Sequence, residues 1–342
     1  MQEERGYHQM SDTTAIANDA RHALPGGEEE SVVCPICGGD EVRNFLEAPD
    51  RFHLRRETYR LVHCGACSAV WLATPPKPED MSYHYTKDYH QGIVAAGEGF
   101  ALSRWKNQST LISRLKKGGA ILDIGCSSGG FLSTMKGPSW DLYGIEMEEW
   151  TAERARTNSG AKVFVGDAVE APFLPASFDV ITAFDVLEHV YSPGQFLTKV
   201  IEWLKPGGIF YAMLPNIDSW EAKLFGSYWY GLELPRHLSH FSPRSLRYLM
   251  TTLGFEEVLL RTPPISYAER SIGYLYSSLL ETLGGSPTPQ AKPRRHSLPW
   301  RAVRKGIRLA VITPTAQVAS SAGAGPSMEV VFRKPDGMSR HL

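Results

Sequence analysis

The middle of the chain alternates short apolar runs with longer segments in which apolar residues recur at helical spacing. The apolar runs cover residues 120–124, 142–145, 162–165, 178–183 and 209–213. Strand-length runs separated by helical segments predict parallel strands joined by crossover helices. The nearly continuous apolar character of each run indicates strands that are buried on both faces. We therefore predict an α/β fold built on a parallel sheet with helices on both sides.

Outside this region the pattern changes several times. The first residues are polar and lack hydrophobic periodicity, which predicts a disordered leader. Short alternating runs follow and end at a cluster of prolines, and an aromatic-rich stretch then becomes helical in spacing. The predicted divisions are a leader at 1–30, a small module of short strands at 31–80, a lead-in helical segment at 81–118, the α/β domain at 119–262 and 327–335, and an insert at 263–326.

The composition narrows the function classes. The chain has 342 residues, with 36 Lys or Arg against 37 Asp or Glu, and a net charge of −1. This balance argues against a histone-like nucleic-acid binder, and the hydrophobic content of 42% argues against a fibre or a disordered tail. The sequence contains no run of about 18 apolar residues, and its first 30 residues are acidic where a signal peptide would be apolar. We therefore expect a soluble cytoplasmic protein.

The five cysteines form two C-x-x-C pairs and one isolated residue, Cys126. The pairs are Cys34 with Cys37 and Cys64 with Cys67. In a cytoplasmic chain, paired cysteines indicate metal ligands before disulfides, and two such knuckles supply the four thiolates of a structural zinc site. Two redox-active dithiols are the alternative, but neither pair opens a helix in a thioredoxin-like unit.

The turn after the first apolar run carries candidate chemistry. Asp123 lies next to the end of the run, and Gly125 and Gly129 lie in the turn that leads into a helix. Small residues let a ligand approach the backbone, and a carboxylate at a strand end accepts hydrogen bonds from ligand amines or hydroxyls. The turn departs from the G-x-G-x-x-G fingerprint of dinucleotide-binding folds because its middle position is Ser127.

Further motifs follow in order along the chain. Glu146 directly follows the second run, and Gly166-Asp167-Ala168 follows the third. Residues 178–190 contain the fourth run and the segment after it, and residues 204–208 form the turn before the fifth. With this set the chain resembles the class I S-adenosylmethionine-dependent methyltransferases. The resemblance implies a Rossmann-like domain with a mostly parallel seven-stranded sheet, and S-adenosylmethionine as cofactor.

The resemblance also implies roles for particular residues. Glu146 would bind the ribose hydroxyls, and Asp167 with the next backbone N–H would read the adenine edge. Cys126 would be a small residue that lets the cofactor approach the backbone, not a nucleophile. The implied cofactor-binding residues are Asp123, Gly125, Cys126, Ser127, Gly129, Glu146, Met147, Asp167, Ala168, Phe184 and Asp185.

Candidate catalytic residues lie in two places. Asp185 and His189 follow the fourth strand at the edge where the cofactor is expected, and His237 lies in Pro235-Arg236-His237-Leu238-Ser239-His240-Phe241-Ser242-Pro243. This text looks like a segment found in methyltransferases of polysaccharide and natural-product gene sets. We take His237, His189 and Asp185 as candidates for accepting the acceptor's proton. The alternative is that His189 and His237 only order their loops.

A catalytic metal is a further alternative at this edge. Asp185, Glu188 and His189 together with His237 resemble the metal cluster of small-RNA terminal 2′-O-methyltransferases. Oxygen and imidazole ligands on one edge would hold Mg²⁺ or a transition metal that lowers the pKa of an acceptor hydroxyl.

The leader module and the insert bear on the acceptor. Residues 59–89 are similar to the zinc-ribbon leader of many sugar and natural-product methyltransferases. We therefore expect a small-molecule acceptor, methylated at oxygen; an RNA methyltransferase, disfavoured by the charge balance, and a non-catalytic cofactor-binding scaffold are the alternatives. The insert has seven Lys or Arg and no acid between residues 282 and 328. It is expected to cap the acceptor pocket or to contact the inner membrane face through 292–311.

Overall fold

The computed structural model describes residues 33–85, 105–284 and 305–337. The predicted leader therefore lies outside the described residues, as do parts of the lead-in segment and of the insert. The strands are β1 (Val42–Pro49), β2 (Thr58–Cys64), β3 (Val70–Leu72), β4 (Gly119–Ile124), β5 (Trp140–Glu146), β6 (Lys162–Val165), β7 (Phe178–Phe184), β8 (Leu204–Pro215), β9 (Ser239–His240), β10 (Glu256–Arg261) and β11 (Ser327–Arg333).

The helices follow the predicted rhythm between the strands of the α/β region. They are α1 (105–115), α2 (Gly130–Thr134), α3 (Glu149–Ser159), α4 (Pro193–Trp203), α5 (Trp220–Phe225), α6 (Pro243–Thr252), α7 (Ala268–Thr282) and α8 (Thr313–Ser321). Short 3-10 turns cover Pro78–His84, Ala168–Glu170, Leu187–His189, Gly226–Tyr228 and Tyr230–Leu232. A π-helical stretch, Arg308–Ile312, runs directly into α8.

Seven strands form the main sheet, in the order β10-β11-β8-β7-β4-β5-β6. Neighbouring strands from β8 to β6 pair in parallel, whereas β11 is antiparallel to both β8 and β10. This arrangement confirms the predicted mostly parallel, seven-stranded α/β fold. Strands β5 and β6 are added on one side of β4, and β7 and β8 on the other, so the order of the strands reverses between β4 and β7. Folds of this kind bind ligands at such a switch point, outside the carboxyl ends of the strands.

The core explains why the strand sequences are apolar throughout. Ile121 and Leu122 in β4 and Val180 and Ile181 in β7 are all fully buried, although successive side chains point to opposite faces of the sheet. Helices cover both faces, so residues on either side of a central strand lose their exposure to water.

A second sheet contains the cysteine module and has the order β1-β2-β3-β9, with every pair antiparallel. Its fourth strand, β9, comes from the segment that also contains His237. Val70 pairs with His240 and Trp71 with Ser239. The sheet thus extends beyond the predicted 31–80 boundary, because the edge of β3 finds its hydrogen-bond partner far along the chain.

The insert between β10 and β11 contributes α7 and α8. Trp300 and Val303, which we expected to share a helical face with Ile307 and Val311, lie outside the described residues. Across the described part of the chain, none of the helices combines the length and apolar character that crossing a membrane requires.

Candidate active site

The predicted cofactor residues follow four neighbouring strands of the main sheet. Asp167 lies beyond β6, Glu146 ends β5, Asp123 lies near the end of β4, and Phe184 ends β7. Because β6, β5, β4 and β7 are parallel neighbours, these four residues are placed in that spatial order along one edge. The edge is the one that the sequence motifs indicated.

Asp123 is buried, and its carboxylate accepts a 2.6 Å hydrogen bond from the Thr182 hydroxyl on β7. Burial raises the pKa of Asp123 to about 7; the Thr182 hydrogen bond opposes this shift and the nearby Glu146 charge adds to it. Among the described residues Asp123 has no cationic partner, so its ionised carboxylate is costly at this position. A ligand that carries a positive charge would reduce that cost.

The turn after β4 has three residues with left-handed backbone angles: Gly125 (φ 70°), Ser127 (φ 48°) and Gly129 (φ 78°). Ser127 therefore adopts the conformation that glycine favours. Its N–H donates a 2.7 Å hydrogen bond to a Glu146 carboxylate oxygen, which fixes the turn against the end of β5.

Glu146 is held at the end of β5 by backbone donors. Besides Ser127, the N–H groups of Met147 and Glu148 point to its other oxygen at 2.9 and 3.3 Å. The Met147 side chain is largely exposed. Asp167 caps the 3-10 turn that begins at Ala168, because its carboxylate accepts a hydrogen bond from the Val169 N–H.

The two remaining predicted cofactor positions differ in character. The Cys126 thiol is buried against Gly144, where an added Cβ atom would lie 2.7 Å from the sulfur, and burial raises its pKa. A buried thiol of this kind is a packing group and a poor nucleophile. Phe184 contacts the rings of Trp105 and Phe131, with centroids 5.2 and 5.0 Å away. Its aromatic neighbours thus line the edge beside β7.

Two histidines from distant parts of the chain meet at the same edge. The rings of His189 and His237 lie edge to face with centroids 4.6 Å apart. The Leu238 N–H donates to the Glu188 carbonyl at 2.8 Å, so backbone pairing links the two segments. Glu188, His189 and His237 each place a potential ligand atom within 4.8 Å of the others. Asp185 is exposed and is not part of this group, which we call the histidine cluster.

Backbone carbonyls define the neutral tautomer of both rings. His237 Nδ1 lies 2.9 Å from the Gly231 carbonyl, and His189 Nδ1 lies 3.0 Å from the Arg236 carbonyl. A carbonyl oxygen only accepts, so Nδ1 carries the proton and each Nε2 keeps its lone pair. Burial lowers the pKa of both histidines, that of His237 well below its usual range, so both rings are neutral near pH 7.

His240, which the motif also contains, belongs to the sheet framework. Its Nε2 donates to the Leu232 carbonyl at 3.0 Å, and it pairs with Val70 in the β3–β9 ladder. Burial lowers its pKa to about 4. We therefore assign His240 to the structure of the loop.

Several residues around the histidine cluster were missed in the sequence. The Tyr85 hydroxyl lies 2.9 Å from His189 Nδ1, and a Glu233 carboxylate oxygen lies 3.8 Å from His237 Nε2. Arg236 and Asp50, both fully buried, form an ion pair at 3.4 Å. Arg236 lies within the quoted motif at 235–243, so the sequence contained a signal for it. Nothing in the local sequence distinguishes Asp50 from an ordinary turn residue.

The four paired cysteines come together as a compact cluster. Cys34 Sγ lies 3.6 Å from Cys67 Sγ, and Cys37 Sγ lies 3.6 Å from Cys64 Sγ. The Ile36 N–H points to Cys34 Sγ at 3.4 Å, and the Gly39 N–H points to Cys37 Sγ at the same distance. All four sulfur atoms lie within 4.8 Å of one another.

Comparisons with known proteins agree with this architecture. Residues 101–260 match a family model described as a methyltransferase domain. The chain is 35% identical over 111 residues to a ubiquinone biosynthesis O-methyltransferase of Idiomarina loihiensis, covering 30% of this chain and 46% of the relative. It is 25% identical over 138 residues to a sterol 24-C-methyltransferase of Pneumocystis carinii, covering 37% of each chain. The chain thus spans about half the length, or less, of these curated relatives.

A solved structure shows the same fold. A chain from the Haloferax volcanii complex of the Trm112 methyltransferase activator superposes with a TM-score of 0.50 at 16% identity, covering 75% of this chain and 99% of that one. At this identity the similarity concerns architecture alone. Together with the ordered motifs along the sheet edge, these findings identify residues 101–260 as a methyltransferase domain of the class I S-adenosylmethionine-dependent type.

Proposed function

We propose that the protein transfers the methyl group of S-adenosylmethionine to a hydroxyl oxygen of a small-molecule acceptor. The main support for this proposal is the pair of neutral histidines, His189 and His237, which lie at the same sheet edge as the cofactor motifs. Relatives named for ubiquinone and sterol methylation support a small-molecule acceptor. The leader's similarity to those of sugar and natural-product methyltransferases favours a sugar, glycan, lipid-linked or natural-product scaffold.

S-adenosylmethionine supplies a methyl group on a positively charged sulfur, so the donor is already activated. The protein's part is to align the acceptor and to receive its proton. We assign the cofactor to the edge from Asp167 to Phe184, with Glu146 on the ribose and Asp167 on the adenine. The Asp123 carboxylate favours a cationic ligand at this edge because it lacks a cationic partner among its described contacts.

We assign the proton to His237 Nε2. With the cofactor bound, the acceptor oxygen would bond to the methyl carbon as the bond between that carbon and the sulfonium sulfur breaks, and the sulfur would leave as a neutral thioether. The hydroxyl proton would pass to His237 Nε2, so the imidazole would become a cation. Glu233, whose carboxylate lies 3.8 Å from Nε2, stabilises that cation. His189 occupies the adjacent position and orients the acceptor hydroxyl, while exposed Asp185 contributes to the cofactor edge.

Replacement of His237 tests this assignment. In the variant His237→Ala, turnover should fall by about 100- to 10,000-fold, because general base catalysis contributes that much. The affinity for S-adenosylmethionine, measured by calorimetry, should stay unchanged. His63→Ala is the matched control, since His63 lies in β2 and stacks on Phe45 away from the cluster. Wild-type turnover in His237→Ala would remove this residue from the mechanism.

Transfer of labelled methyl groups to fractionated cell extract identifies the acceptor class. Label in small glycans, lipids or other small molecules supports the proposal. Label in RNA would replace it with RNA methylation, the first alternative. Cofactor binding without labelled product in any fraction would leave a non-catalytic scaffold.

We further propose that Cys34, Cys37, Cys64 and Cys67 hold a structural zinc ion. A tetrahedral site with zinc–sulfur bonds of about 2.3 Å separates its sulfurs by about 3.8 Å, close to the 3.6 Å found in two of the pairs. The backbone N–H groups facing Cys34 and Cys37 suit thiolates. Elemental analysis of protein purified without chelators should give about one zinc per chain; none would contradict the site.

A divalent cation at the histidine cluster is the second candidate for the chemistry. Glu188, His189 and His237 lie close enough to share one ion, and both histidines donate Nδ1–H to carbonyls, as metal-bound histidines do. Such an ion would lower the pKa of an acceptor hydroxyl. Turnover that disappears after dialysis against a chelator and returns with Mg²⁺ but not Zn²⁺ would favour this route over His237 alone.

We assign the insert to contact with an anionic membrane surface. α7 exposes an apolar stripe at helical spacing, and the segment that follows is basic and free of acid. The exposed apolar residues are Ile272, Leu275, Tyr276 and Leu279 on α7, Leu283 just after it, and Ile307, Leu309, Val311 and Val318 in and before α8. Flotation with vesicles should require anionic lipid and should weaken in Lys305→Glu/Arg308→Glu. Absence of salt-sensitive binding, with a raised acceptor KM in Leu275→Asp, would instead make the insert a cap.

A further inference from the structure

The turn after β1 belongs to the cysteine module, yet its side chains reach the histidine cluster. Asp50, at the end of this strand, is fully buried. Its first carboxylate oxygen accepts hydrogen bonds from the N–H groups of Phe52 and His53, each at 3.1 Å. Its second oxygen lies 2.9 Å from His53 Nδ1 and 3.4 Å from Arg236 Nη1. The turn therefore presents a fixed negative charge to Arg236.

Arg236 is fully buried and is held from several sides. Its guanidinium lies over the Phe52 ring at 5.0 Å, donates to the His84 carbonyl at 3.3 Å, and approaches a Glu233 oxygen at 3.3 Å. Burial alone would raise the pKa of Asp50, but the Arg236 charge and the hydrogen bonds from His53 hold it below its usual value. The pair is therefore ionised at neutral pH, and each charge depends on the other.

The backbone of Arg236 connects this ion pair to both histidines. Its carbonyl accepts the Nδ1–H of His189 at 3.0 Å, and the next residue in the chain is His237. The side chain of Arg236 thus fixes a peptide unit that orients one ring directly and the other through the chain. An imidazole orientation set by its Nδ1 partner determines where the Nε2 lone pair points.

We propose that Asp50 is a positioning residue for methyl transfer. It acts through Arg236 to keep His189 and His237 aligned with the acceptor, so the cysteine module supplies part of the active-site framework. This inference rests on the proposed function of the histidine pair. It extends that function by assigning a role in catalysis to a residue far from the reacting atoms.

Asp50→Asn removes the charge while it keeps an oxygen acceptor. We expect kcat to fall by about 10- to 100-fold, which is the usual cost of misplaced catalytic groups, with no change in the affinity for S-adenosylmethionine. Asp179→Asn is the matched control: Asp179 also pairs with a cation, Lys205 at 2.6 Å, and accepts from a backbone N–H, but it lies at the opposite end of β7. A kcat that falls no more than in this control would overturn the proposal.

A second measurement on the full-length protein does not depend on turnover. Nitrogen NMR of labelled histidine should show His189 as the Nδ1–H tautomer in wild type and as a mixture in Asp50→Asn, while Asp179→Asn stays like wild type. An unchanged His189 tautomer in Asp50→Asn would contradict the positioning role even if kcat falls. If the His189 tautomer changes in Asp50→Asn but the wild-type protein transfers no methyl group, the proposed function fails. The structural connection from Asp50 to His189 then still stands. If Asp50→Asn does not fold, Arg236→Lys replaces it, with the same expected results.

Discussion

The turn at Gly129 offers a quantitative test of how tightly the cofactor loop packs. Gly129 begins α2 with φ 78°, and a Cβ atom placed there would lie 2.9 Å from Ala155 Cα and 3.1 Å from the Ala155 carbonyl oxygen on α3. Left-handed angles cost a non-glycine residue about 1–2 kcal/mol. Overpacking against backbone atoms adds about 1–3 kcal/mol, because α3 must move. Gly129→Ala should therefore lower the free energy of unfolding by about 2–5 kcal/mol.

Gly160 separates the two contributions. It ends α3 with φ 76°, but a Cβ atom there would meet no atom within 4 Å. Gly160→Ala should therefore lose only about 1–2 kcal/mol, from backbone strain alone. Gly194, in α4, has open space and ordinary helical angles, so Gly194→Ala should gain about 0.5–1 kcal/mol.

The assay is urea unfolding followed by tryptophan fluorescence, at fixed pH and without cofactor. Equal losses in Gly129→Ala and Gly160→Ala would show that α2 and α3 yield to the added methyl group. The close packing inferred between the cofactor turn and α3 would then be wrong. A larger loss in Gly129→Ala should be accompanied by weaker binding of S-adenosylmethionine, since the turn backbone must shift.

Two further predictions concern pH and metal. Because the pKa of Asp123 is raised to about 7 in the folded protein, cofactor-free stability should fall as pH rises from about 4 to 7. Asp123→Asn should remove this part of the pH dependence in urea unfolding and should weaken cofactor binding; an unchanged pH profile would contradict the buried, neutral acid. Removal of the proposed zinc ion by a chelator, or Cys64→Ser, should lower the thermal midpoint and also kcat, because β2 and β3 support the loop of His237. Full turnover in zinc-free protein would show that the module is not needed for the active site.

The sequence was most informative where a local pattern determines the structure. Apolar runs predicted β4 to β8 because strands in the centre of a parallel sheet are buried on both faces, and the order of motifs predicted which edge they share. The C-x-x-C spacing likewise predicted that Cys34, Cys37, Cys64 and Cys67 would meet. Each of these predictions depends on residues that are close in sequence or on a known topology.

Contacts between distant segments could not be read in the same way. Strand β9 has two residues, too few to show a period, and its partner β3 is set only by tertiary packing. The Asp50–Arg236 pair joins two polar residues whose local sequences are typical of exposed turns. Asp185 stays a prediction: it follows β7 with φ 57° and is exposed, whereas the group that could share a metal ion contains Glu188, which the sequence alone did not favour over Asp185.

The pairing of β3 with β9 has a consequence for the order in which the chain folds during synthesis. Both cysteine knuckles leave the ribosome before β9 does, and their sulfurs are close enough in sequence to hold the proposed zinc ion at once. The open edge of β3, however, waits for residues about 170 positions further along the chain. Until then a hydrogen-bonding edge is exposed to neighbouring nascent chains. Expression at low temperature, or with chaperones that cover such edges, should therefore raise the yield of folded protein more than added zinc does.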